Sequence, residues 1–140
     1  MSTVDNAIAR IQAIVLSSTD LTIKHAPTYP SADATVFPFS IAHVQTGEGT
    51  VSADWAEMFV TIGVDVYFSA VDLRKTYADI DAFSIEFMRR LAGDPSLNST
   101  VNTINFPVTF QVTAQEYNNT NALMCSFSIP IKTVESKVTT

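Results

Sequence analysis

The chain has 140 residues, 46% of them hydrophobic and 16% charged, with a formal net charge of −6. That composition excludes a disordered polyelectrolyte, and eight Lys and Arg spread along the chain exclude the clustered cationic surface that phosphate-gripping proteins need. No apolar run approaches the ~20 residues that span a bilayer, so one soluble globular domain over residues 1–140 is expected, without a membrane partner.

The first predicted element is a helix from Thr3 to Leu16. Ser2 or Thr3 can cap it, Ser2 with Asp5 resembles a capping box, and Ala7, Ile8, Ile11, Ile14 and Val15 form one apolar face. Pro27, Pro30 and Pro38 then interrupt regular structure, leaving a short strand at Leu21 to Lys24 and a better one at Val36 to Val44, in which Phe37, Phe39 and Ile41 share a face. Pro38 implies an edge strand or an irregular start. The run "QTGEGTVSAD" reads as a flexible loop, Gln45 to Asp54.

A long strand follows in "EMFVTIGVDVYFS". Met58, Val60, Ile62, Val64, Val66 and Phe68 alternate with Phe59, Thr61, Gly63, Asp65, Tyr67 and Ser69, the period-2 pattern of a strand with one buried face. The period then changes to 3.6: Asp72 is the expected N-cap, Leu73, Tyr77, Ile80, Phe83, Phe87 and Leu91 form the buried stripe, Arg89 and Arg90 suit the C-terminal dipole, and Gly93 stops the helix.

The last third reads as a β-hairpin. "INFPVTFQVTA" is expected to bury Ile104, Phe106, Val108, Phe110, Val112 and Ala114, and "LMCSFSIPI" to bury Leu123, Cys125, Phe127, Ile129 and Ile131, with "EYNNTN" as the turn. From Lys132 onward the chain is a polar tail. Two amphipathic helices and strands with one apolar face each give an α+β fold, a two-layer sandwich of a mostly antiparallel sheet with both helices on one face.

Nothing in this pattern asks for catalysis. His25 and His43 lack metal-ligand spacing, and Gly47-Glu48-Gly49 has no Lys-Ser/Thr after it to make a phosphate loop. Asp79, Asp81 and Glu86 read as a solvated helix face, and no serine sits in a GxSxG setting. Cys125 falls among alternating core residues, where a free thiol is an inert small hydrophobe. Trp55 is either an interface anchor or a core plug at the start of the long strand. The chain is therefore expected to be no enzyme and to hold no cofactor or metal. The N-terminus lacks the basic n-region of a signal peptide, which leaves the cytoplasm as the default compartment and the sequons at Asn98 and Asn118 as loop polarity.

In element order and texture the chain resembles the tail terminator family of long-tailed bacteriophages, the minor tail protein U-like or tail-completion proteins. The resemblance is carried by the N-terminal helix "DNAIARIQAIV", the strand "FPFSIAHV", the "QTGEG" loop, "WAEMFVTIGVDVYFS", the helix "DLRKTYADIDAFSIEFMRRLAGDPSL", and the final pair "INFPVTFQVTAQEY" and "ALMCSFSIPI". It implies a homohexameric ring on the head-proximal end of the tail tube. Such a ring stops tube polymerisation and presents a docking surface to the head-completion proteins of the neck. Double-stranded DNA then passes only as cargo, and the virion tail, assembled in the host cytoplasm, is the implied location.

On that reading the Gly47, Glu48 and Gly49 loop, Trp55, and the segment beyond Ile131 beginning at Lys132 are expected to make inter-subunit or axial contacts. Thr61, Asp65 and Tyr67 are expected on the uncovered face of the long strand, toward solvent, the lumen or a neighbouring subunit. Two other readings stand beside it: a different neck, connector or tube protein of the virion, and a small-molecule binding module or enzyme of α+β fold.

Overall fold

The structure, a computed structural model, describes residues 3–17, 38–51, 55–70, 72–99, 101–117 and 120–136. Its elements are α1 (Thr3–Leu16), β1 (Phe39–Val51), β2 (Trp55–Ser69), α2 (Leu73–Ala92), β3 (Thr103–Ile104), β4 (Thr109–Tyr117) and β5 (Thr120–Ser136). The predicted strand at Leu21 to Lys24, His25 and the Ser2 cap lie outside the described residues.

All strand pairs are antiparallel, in the order β1-β2-β5, with β3 and β4 both on the far side of β5. Both helices pack on one face of this sheet. The fold is thus an α+β two-layer sandwich, as the alternation of periods predicts. β2 is its central beam: β5 pairs with it over its full length, from Trp55↔Ser136 to Ser69↔Ala122.

The core lies between sheet and helices. Ala7, Ile8, Ile11, Ile14 and Val15 of α1 and Ile80, Phe83, Phe87 and Leu91 of α2 cover Val60, Ile62, Val64, Val66 and Phe68 of β2 and the alternate residues Leu123 to Ile131 of β5. Phe127 is its hub, with the rings of Phe87 and Phe83 set edge-on at 4.8 and 6.0 Å. Rings so arranged gain beyond their buried area, because the positive edge of one meets the negative face of the other. One polar tie crosses the layer: buried Gln12 donates to the Ser40 carbonyl at 3.3 Å and accepts from Ser40 Oγ at 2.8 Å.

Capping follows the sequence. Asp72 in extended backbone accepts from the Lys75 amide, Thr76 Oγ1 donates to the Ser69 carbonyl, and Gly93 closes α2 by donating to the Arg89 carbonyl. Beyond it Leu97, Asn98 and Ser99 all take positive φ, at 48°, 56° and 65°. That left-handed turn is costly for residues with a Cβ. It is held by the buried Leu97 side chain and by the Asp94 carboxylate, which accepts from the Asn98 amide at 2.9 Å.

Five expectations are corrected. Gln45 to Asp54 is not a loop through its described part: β1 runs on to Val51, because β2 is long and offers Ala56 to Thr61 as pairing partners for Val51 to Thr46. The expected strand is interrupted by a bend at Pro38, and β1 starts at Phe39; Val36 and Phe37 lie outside the described residues. The polar segment from Lys132 is no tail as far as Ser136, since β5 continues there against Trp55 to Phe59.

The run from Ile104 to Ala114 is two strands laid end to end along β5. Residues 105–108 stand opposite only Ile129 and Pro130, so Phe106 turns outward, 48% exposed, and Phe110 is left half-exposed at the sheet edge while Ile104 and Val108 are buried. Pro107, which has no N–H to give the ladder, sits in this break. Finally, Met58, Leu73 and Tyr77 are exposed although their periods place them on buried faces. Met58 lies where β2 has run past the helices, and Leu73 and Tyr77 lie on the first turns of α2, over a groove of about 450 Å³ floored by Ala114 and Ala122.

Candidate functional site

No described helix or strand packs on the second face of the sheet, and cross-strand register makes a polar field of it. One row reads Ile41, Asp65, Ser126, Gln111 and the next His43, Gly63, Ser128, Thr109, from β1 through β2 and β5 to β4. Each residue stands there because the opposite alternation of its strand is apolar and claimed by the helices.

Asp65 is the centre of this field. Its side chain is 17% exposed; Oδ1 accepts from Ser126 Oγ at 2.6 Å and Oδ2 lies 3.2 Å from His43 Nε2. A carboxylate only accepts, so the imidazole supplies the hydrogen in this second contact. The order of groups differs from a catalytic relay. There an imidazole stands between hydroxyl and carboxylate and takes the hydroxyl proton; here the carboxylate stands between, and among the described residues the hydroxyl of Ser126 meets the carboxylate rather than an imidazole.

Gly63 makes the packing possible. A Cβ at that position would lie 2.8 Å from both Gln45 Cγ and His43 Cε1. Without one, Gln45, the bulged residue between Val44 and Thr46, crosses over β2 and accepts from Ser128 Oγ at 3.0 Å. A shallow cleft of about 270 Å³ opens beside this contact, lined by Gln45, Thr109, Gln111, Ser126 and Ser128 among others.

The sequence-predicted residues fall into two groups. Thr61, Asp65 and Tyr67 share the open face of β2; Thr61 and Tyr67 are partly buried, Thr61 opposite Thr46 and Pro130, and the Tyr67 ring stacked on Phe39 at 4.9 Å. Gly47, Glu48, Gly49, Trp55 and Lys132 belong to the other end of the strands, where β1, β2 and β5 run on from the core pair Val60–Ile131 as an arm, joined at Lys132 by Thr103 of β3. Gly47, Glu48 and Gly49 are exposed strand residues opposite Val60, Phe59 and Met58. Trp55 pairs with Ser136 at the arm's end; its side chain lies outside what is described. Lys132 lies 3.6 Å from Glu57, with its ammonium 5.8 Å from the centroid of the Phe59 ring. Surface pairs of this kind contribute at most about 1 kcal/mol.

Gln45, Ser126 and Ser128 were not singled out by the sequence, which weighed His43 only as a metal ligand and Gly63 only as an outward position of the long strand. Their alternation is visible in "SIAHVQ" and "MCSFSIP", but only the register of three strands brings them to one place.

A separate charged cluster ties the helices together. Arg10 Nε donates to Asp94 Oδ2 at 2.9 Å, and Arg90 donates to Glu86 and to Ser17 Oγ. Burial alone would raise the Asp94 carboxyl, but the Asn98 amide and the Arg10 guanidinium outweigh it and hold the group below its ordinary 3.8. Burial pushes the Cys125 thiol up to about 11, against the hydrogen bond it shares with Ser84, so it is an unreactive group at neutral pH. Among the described residues no three His, Cys, Asp or Glu side chains form a candidate metal site, and no helix is long and apolar enough to cross a membrane.

No protein-family model matches the chain, and no curated protein matches it as a relative.

Proposed function

We propose that this chain is a structural virion protein that caps the head-proximal end of a phage tail tube as a homohexameric ring, ends tube polymerisation and offers the neck proteins a docking surface. The observation that carries the reading is the combination of one helix-covered sheet face with a second, largely polar face on which no described helix or strand packs, on a sheet whose outer strands, β1 and β4, each pair on one side only among the described residues. Among the described residues, two edges and one face of this sheet are thus left to copies of the chain and to a passage.

The logic of termination is physical. A subunit whose contacts are heterologous closes into a ring when the rotation between neighbours returns on itself. If only one axial surface of that ring copies the tube's own contact, the ring binds a growing end and cannot be extended. The arm and the Leu73–Tyr77 groove lie at opposite ends of the strands, so the two axial surfaces of such a ring differ. The net charge of −6 and the Asp65 carboxylate on the open face suit a conduit through which DNA slides, because a channel that attracted phosphates would retain it.

The test is to add the purified chain to isolated tail tubes with free ends and image them by electron microscopy. Ring-shaped density on one end, with no further growth when tube subunits are supplied, is the expected result. Bare ends contradict the reading, and elongation by the chain itself makes it a tube subunit.

A further inference from the structure

We draw no further inference here: the strongest candidate, the groove of about 450 Å³ between the first turns of α2 and the β4–β5 pair, where Leu73 and Tyr77 stand half-exposed over Ala114 and Ala122, is an apolar face for which nothing in the structure shows what covers it.

Discussion

Ser126 Oγ reaches Asp65 Oδ1 at 2.6 Å across the β2–β5 ladder, from a position directly opposite in register. The carboxylate within the long strand β2 thus lies outside the core and anchors a polar face. Replacing Asp65 with Ala removes the acceptor for both Ser126 and His43. The expected loss is about 1–2 kcal/mol, the usual range for hydrogen bonds to a partly exposed carboxylate. Asp65→Asn keeps an acceptor for Ser126 and is expected to lose less. Urea unfolding checks both, and an Ala variant with an unchanged midpoint contradicts the role given to Asp65.

Gly63 is expected to resist even the smallest side chain. Ala at this position must displace Gln45 and His43 from above β2, at a cost of about 1–3 kcal/mol by the usual scale of overpacking. The displaced Gln45 also releases Ser128, so NMR shifts at Ser128 and Gln45 are expected to move together. A Gly63→Ala variant as stable as the parent, with Ser128 unperturbed, would show that the close crossing does not occur.

Phe127 and Phe106 are expected to behave oppositely although sequence alternation gives them the same status. Phe127→Ala opens a cavity beneath Phe83 and Phe87 and is expected to cost about 3–5 kcal/mol. Phe106→Ala, on an outward-turned ring, is expected to stay within about 1 kcal/mol of the parent. Thermal melts of the two variants decide this.

Asp94 makes the acid limb of stability testable. Its carboxyl is held below its ordinary 3.8 in the folded chain, so the ionised form favours folding. That contribution is complete above the unfolded value and disappears as the pH falls through the folded value. Melting temperatures measured downward from pH 5 are therefore expected to fall less steeply in Asp94→Asn than in the parent. The same variant loosens the left-handed turn at Leu97 to Ser99 at every pH, since the Asn98 amide loses a charged acceptor.

How much of this was legible in the sequence depended on periodicity. α1, α2 and the buried faces of β2 and β5 follow from spacing because one apolar stripe must meet another. The strand nature of Gln45 to Val51 did not, since Gly47 and Gly49 carry a turn-like composition and what holds them is the backbone of β2. Leu73, Tyr77 and Met58 have the right period, but period says nothing about where the opposite layer ends. The polar cluster was half legible: Asp65 could be placed on an open face, whereas His43, Ser126 and the crossing of Gln45 over Gly63 required the register of three strands and a bulge.

Where the chain works is read most directly by cryo-electron microscopy of the neck of a particle containing it. Sixfold density is expected at the head-proximal end of the tube, into which six copies fit with the Asp65 face toward the passage and the helices outward. Density for the chain elsewhere in the particle, or at that end with helices lining the passage, would contradict this placement.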